Sequence, residues 1–174
     1  MSKKKGKAAP PKLKLGNIVA VETINISLAN ILLLPDFNVR QSLGTEEEMN
    51  ALTDSVRAIG IQQPVSVHAA VERNEETGED ETVYYLVAGF RRVQAAVNAG
   101  LEEVPARVYP SDTRPIDLQL LNLQENVSRK SLNPMEEARG ANALLLAGLD
   151  AEDVRAALGW TPNMLTRRLK LIEL

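Results

Sequence analysis

The sequence predicts an α+β protein: a small mixed sheet with helices up to about residue 110, followed by an all-helical part. Three observations carry this. Valine- and tyrosine-rich runs with alternating polarity occur only before Pro110. Apolar residues at helical spacing alternate with those runs and then take over completely. Sharp start and stop signals, Thr45 to Glu48, Gly60, Gly100 and Asn133 to Glu136, bracket the helices.

In order along the chain, residues 1–14 hold Lys3, Lys4, Lys5, Lys7, Lys12 and Lys14 with no acid and no apolar periodicity. With Pro10 and Pro11 they read as a basic arm, assigned to residues 1–22, which serves solubility or touches DNA. Ile24, Ile26 and Leu28 alternate with polar residues, a short strand. A loop with Pro35 follows, reaching Asn38-Val39-Arg40. Thr45-Glu46-Glu47-Glu48 has capping-box form, and Met49, Leu52, Val56 and Ile59 continue at helical spacing to Gly60, so a helix is predicted over 46–59. Pro64 to Val71 and Thr82 to Val87 flank the acidic stretch Glu72 to Glu81 and predict an antiparallel hairpin turning near Gly78. The acids read as a solvated loop. Gly89 ends the second strand, and a helix over 90–99 buries Val93, Ala96 and Val97. Val104 to Val108 is one more strand, placing His68 and the adjacent Tyr84 and Tyr85 on or beside the sheet, with one tyrosine facing the core.

After Pro110 the signals are helical. Ile116, Leu120 and Leu123 mark a helix ending near Asn126. Asn133-Pro134-Met135-Glu136 opens another, buried through Leu144, Leu145 and Leu146. The boundaries are thus a sheet domain over 23–112 and a helical domain over 113–174.

Composition excludes whole classes of function. The chain has 174 residues, no cysteine and one histidine, His68. Disulfides, thiolate metal sites and cysteine nucleophiles are therefore absent from it, and a His-based zinc site or Ser-His-Asp triad has no material. No run of about 18 apolar residues is present to span a membrane. The net charge is −3, but with the six lysines of the arm set aside the rest carries 14 basic and 23 acidic residues, a net of −9. Partners respond to that distribution and not to the sum.

Three constellations bear chemistry. In Val87-Ala88-Gly89-Phe90-Arg91-Arg92 a strand ends, a glycine turns the chain and two arginines open a helix. Free N–H groups, the positive end of the helix dipole and two guanidinium groups favour phosphate. On spacing alone the signal is weak, and a surface turn with two solvated arginines is the favoured alternative. In Glu125-Asn126-Val127-Ser128-Arg129 the first two residues offer hard oxygens that suit Mg²⁺ when phosphates complete its sphere, and Arg129 offers a cation. Capping and surface polarity are the alternative. Residues 150–172 have helix-turn-helix form: Ala157 and Leu158 pack, Gly159 turns, Trp160 packs the turn, Thr161 caps and Pro162 opens the second helix. Thr161, Asn163, Met164 and Thr166 are then candidates for base or phosphate contacts, and Arg167, Arg168 and Lys170 for the DNA backbone. A plain helical hairpin is the alternative.

Taken together, in this order, the strings resemble a known family. Ala88-Gly89-Phe90-Arg91-Arg92-Val93-Gln94-Ala95-Ala96 is similar to the AGERRxRAA box of the ParB family. The stretch from Glu125-Asn126-Val127-Ser128-Arg129 through Leu132-Asn133-Pro134-Met135-Glu136-Glu137-Ala138 resembles its ENxQRxxLNPxEEA box. Gly60-Ile61-Gln62-Gln63-Pro64-Val65 is similar to its GxxQPI segment, and Asn38-Val39-Arg40 to its N-P-R element. The resemblance covers about residues 24–174.

It implies a ParB/sulfiredoxin-like domain followed by a helix-turn-helix domain, in a CTP-dependent DNA clamp acting in plasmid or chromosome segregation. Carried over, Gly89, Arg91 and Arg92 hold phosphates and Gln63 lies near the base. Glu125 and Asn126 meet Mg²⁺, Glu125 supports slow CTP hydrolysis, and Arg129 backs them. The implied partners are centromere-like double-stranded DNA, a second copy engaged through the nucleotide-bound domains, and a partition ATPase, all in the bacterial cytoplasm on nucleoid or plasmid. Two positions depart: Phe90 stands where glutamate is usual and Gln94 where a basic residue is usual. Phenylalanine neither ligates metal nor accepts a hydrogen bond. That departure keeps open a plain helix-turn-helix repressor whose first half is a protein-interaction module. A nuclease on the same fold would need an acidic metal cluster that is missing. Sulfiredoxin activity needs a cysteine beside the phosphate-binding arginine and is excluded. Leu169, Leu171, Ile172 and Leu174 leave apolar positions at the end with no stop signal, so a truncated or short relative lacking the family's dimerisation domain is expected.

Overall fold

The computed structural model describes residue 20, residues 22–33 and residues 44–173. The lysine-rich residues 1–14 of the basic arm, Asn38-Val39-Arg40 and Leu174 lie outside them. Along the chain run β1 (Glu22–Ser27), a single 3-10 turn (Leu28–Asn30), β2 (Ile31–Leu33), α1 (Glu46–Ile59), β3 (Val65–Arg73), β4 (Asp80–Ala88), α2 (Phe90–Ala99) and β5 (Glu103–Tyr109). Then come α3 (Pro115–Ser128), α4 (Pro134–Leu146), α5 (Ala151–Ala157) and α6 (Pro162–Lys170). The α+β division at about residue 110 is as the patterning predicts.

The five strands form one mixed sheet in the order β1-β5-β3-β4-β2. β3 and β4 are the expected antiparallel hairpin, β5 pairs antiparallel with β1 and parallel with β3, and β2 pairs parallel with β4. Alternation along the strands sorts the residues by face. Ile26, Val65, Val67, Ala106 and Val108 point into a core closed by Val56 of α1 and Ala95 and Ala96 of α2. Ser66 and His68 pair with Arg107 and Tyr109 in register, so these four share the opposite face. α3 covers one end of that face, where Leu118 packs on Val87 and Tyr109.

Local signals act as read. Thr45 accepts from the Glu48 N–H while Glu48 reaches back to the Thr45 N–H, and Asn133 and Glu136 repeat the device on α4. Tyr84 packs on the sheet core whereas Tyr85 bonds Glu72 at the surface. His68 is half-buried.

Four expectations are corrected. β2 is a strand not foreseen. α3 runs to Ser128, so the Glu125 to Ser128 string forms its last turn. Val97 is 55% exposed and α2 instead buries Ala95 and Ala96. Leu146 is 80% exposed, because consecutive helical residues point about 100° apart and Leu144 takes the core position. The helical half has its own core of Leu120, Leu123, Leu144, Val154, Trp160 and Leu165 among others.

Candidate functional site

Gln63, Gly89, Arg91, Arg92, Glu125, Asn126 and Arg129, drawn from three separate stretches of sequence, line one cleft of about 400 Å³. That size is ordinary for a small-molecule site. Its floor is the junction of β4 and α2. Gly89 caps α2 at φ 103° with no side-chain bond, leaving the first N–H groups of the helix free to meet an anion. A Cβ there would lie 2.8 Å from Val65 Cγ1, so glycine is required by close approach as well as by backbone angle.

Arg92 is the hub. Its Nη1 donates to the carbonyls of Gln63 (2.7 Å) and Pro64 (2.6 Å), and its Nη2 donates to Glu125 Oε1 at 2.6 Å. Burial pulls the Arg92 guanidinium below its ordinary pKa, and the Glu125 carboxylate opposes that pull. Arg129 closes the wall, 2.8 Å from Glu125 Oε1 and donating to Gln63 Oε1 at 2.7 Å. Arg91 sits 3.9 Å from Glu48, at the start of α1. Glu125 is thus already shared by two guanidinium groups. A phosphate would meet the same guanidinium donors.

Asn126 is held in place by neighbours that patterning did not single out. Its Nδ2 donates to the Asn122 carbonyl at 2.8 Å, and its Oδ1 accepts from Ser131 Oγ at 3.1 Å. Asn122, fully buried, donates to the Val87 carbonyl and so pins α3 to the end of β4. Its place one helical turn before Asn126 was the signal available for it. Phe90, at the position that departs from the family box, lines the cleft and packs on the sheet core. Gln94 bonds Asn98 on the helix surface. Among the described residues no cluster of three or more His, Cys, Asp or Glu is arranged to hold a metal. Glu125 and Asn126 fit Mg²⁺ only as a pair of oxygens completed by ligand phosphates.

The helical end presents α6. Asp150 and Thr161 cap α5 and α6, and Gly159 turns between them at φ 67°. Trp160 is 3% exposed and packs the turn. Asn163, Thr166, Arg167 and Lys170 are exposed, as is Thr161, whose hydroxyl accepts from the Met164 N–H at 3.3 Å. Two other candidates face inward. Met164 packs on the helical core, and Arg168 donates to the buried Glu137 of α4 at 2.5 Å. No helix among the described residues is long and apolar enough to cross a membrane.

Comparison with known proteins places the chain in a family. The model of the ParB N-terminal domain matches residues 17–127. The chain is 41% identical over 130 residues to the chromosome-partitioning protein Spo0J of Thermus thermophilus, covering 74% of this chain and 44% of that one. The C-terminally truncated chromosome-partitioning protein ParB of Caulobacter crescentus, complexed to the centromeric parS site, superposes with a TM-score of 0.62 at 26% identity, over 87% of this chain and 72% of that one. The same truncated protein complexed with CTP-γ-S gives a TM-score of 0.50 at 28% identity, over 88% and 79% of the two chains. The chain therefore spans less than half the length of the Spo0J relative. With the two boxes on one cleft, the mixed sheet that carries them and the matched domain model, the chain belongs to the ParB N-terminal domain family.

Proposed function

We propose that the chain is the CTP-binding and DNA-binding part of a partition clamp acting in chromosome or plasmid segregation. The observation that carries this reading is the convergence of all seven family-implied ligand residues on one cleft. It is supported by the likeness to the Caulobacter crescentus proteins in complex with parS and with CTP-γ-S.

In this reading the phosphates of CTP lie on the free N–H groups of α2, between Arg91 and Arg92, with the base near Gln63. Mg²⁺, when bound with the nucleotide, supplies charge neutralisation and is held by Glu125 and Asn126. Arg129 faces the phosphates from α3. Slow CTP hydrolysis with Glu125 as the supporting carboxylate belongs to the same proposal. α6 enters the major groove of a centromere-like site, with Thr161, Asn163 and Thr166 at its start and Arg167 and Lys170 toward the backbone. Met164 and Arg168 position that helix. Self-association through the nucleotide-bound domains, a partition ATPase as partner and a bacterial cytoplasmic location on nucleoid or plasmid complete the reading.

The test is binding of a fluorescent parS duplex as CTP and Mg²⁺ are added. The proposal expects the amount of bound DNA or its salt dependence to change with CTP and not with ATP. DNA binding indifferent to every nucleotide would contradict it, and would favour the nucleotide-independent repressor.

A further inference from the structure

A second cleft of about 340 Å³ shares Gln63, Ala88, Glu125 and Arg129 with the first. Its other polar lining is Ser66, Arg107 and Tyr109 from the sheet, and Gln124 and Ser128 from α3. Of these, only Ser128 falls within a family box; Ser66, Arg107, Tyr109 and Gln124 do not. Arg107 and Ser66 are direct partners in the parallel β3–β5 ladder, on the sheet face that α3 covers only in part.

The cleft has the chemistry of an anion site. Arg107 is exposed, on a strand, and has no ion pair among the described residues. Arg129 contributes a second guanidinium, and Glu125, already shared with Arg92, is the one carboxylate on the lining. Arg92 and Arg129 both pair with that carboxylate and Arg107 lines the cleft beside it, so three guanidinium groups surround a single acid. This happens in a chain whose net charge beyond residue 14 is −9. Guanidinium groups held this close still repel one another, a cost that a bound anion removes. Tyr109, buried, and Ser66 line the same cleft and set two hydroxyl groups beside the Arg107 guanidinium.

We propose that this second cleft, anchored by Arg107, binds a phosphate group beside the nucleotide site. The inference rests on the nucleotide reading for its neighbour but is carried by a residue outside that site. The group has two sources: the terminal phosphate of the nucleotide reaching past the shared residues, or a separate inorganic phosphate.

The test uses the full chain and two variants, Arg107→Ala and Arg107→Gln. Each is titrated calorimetrically with CTP, CDP and UTP in Mg²⁺, and with inorganic phosphate followed by ³¹P line width. Arg107 is solvent-exposed, and unchanged thermal midpoints of the variants show that the fold is kept. Losing a charge-assisted contact weakens binding about tenfold or more. If the terminal phosphate occupies the cleft, both variants weaken CTP by that factor and leave CDP within about twofold. If a separate phosphate occupies it, CTP and CDP are unchanged and phosphate binding falls by that factor. Equal binding of all ligands by wild type and variants overturns the inference while leaving the nucleotide reading intact. If no nucleotide binds the wild type, that reading fails. The phosphate arm still decides here: broadening that both variants abolish supports the cleft, and no broadening overturns it.

Discussion

The two halves of the molecule use arginine in opposite ways. At the cleft, Arg92 of the sheet half is mostly buried and wired to two carbonyls and to the Glu125 carboxylate of α3, and Arg129 at the end of α3 is tied to the same carboxylate. In the helical half, Arg167 and Lys170 project from α6 into solvent. A guanidinium held in place by protein groups suits a small anion of fixed shape, since its ordering is already complete before the ligand arrives. Exposed, mobile cations suit a long polyanion, where affinity comes from releasing counterions and tolerates variable geometry. Arg168 crosses this division: it lies on α6 beside Arg167 and Lys170 yet behaves as the buried kind, through Glu137.

The largest effect that breaks the comparison is expected at the floor of the cleft. Gly89→Ala combines a left-handed backbone with a Cβ pressed on Val65, and should lower unfolding free energy by about 2–4 kcal/mol and abolish nucleotide binding. Denaturant titration and calorimetry check it together. Arg168→Ala comes next. It leaves Glu137, 8% exposed, without its cation, and should cost about 1–3 kcal/mol of stability. Arg167→Ala should leave the melting temperature unchanged and lower DNA affinity about equally for all sequences, reducing the salt slope by about one. If Arg168→Ala instead behaves like Arg167→Ala, the division drawn above is wrong.

Thr161→Ala removes the cap of α6 and should cost about 1 kcal/mol, read in the same melts. The smallest effect is a pH dependence. Burial foremost raises the Tyr109 hydroxyl above its ordinary pKa of about 10. The unfolded chain therefore loses this proton first as pH rises, so the contribution is complete below about pH 10 and is lost as pH climbs through the folded value. Tyr109→Phe should flatten that alkaline decline in a series of denaturant titrations.

Much of this architecture is legible in local chemistry. The Thr45–Glu48 and Asn133–Glu136 capping boxes, the stop at Gly60 and the turn at Gly159 each follow from neighbours within four residues, and each stands where patterning places it. What escaped has non-local causes. Ile31-Leu32-Leu33 carries no alternation, and becomes β2 because β4 offers it an open parallel edge. Glu137 and Arg168 meet across 31 positions, and nothing near either one announces the other. The cleft shows both sides of this. Its seven candidate residues follow from the family motifs, whereas their convergence depends on α3 being pinned to β4 by Asn122. Arg107 is a single arginine on a strand, and gains meaning only from the guanidinium groups that the fold brings beside it.

The central claim is that the wired cleft of the sheet half is a site for CTP. Calorimetric titration of the chain with CTP, UTP, ATP and GTP in Mg²⁺, repeated on Arg92→Ala, tests it most directly. The account predicts saturable binding of CTP in preference to the other three, lost in the variant. No CTP binding at millimolar concentration, or identical heats from wild type and Arg92→Ala, would contradict it.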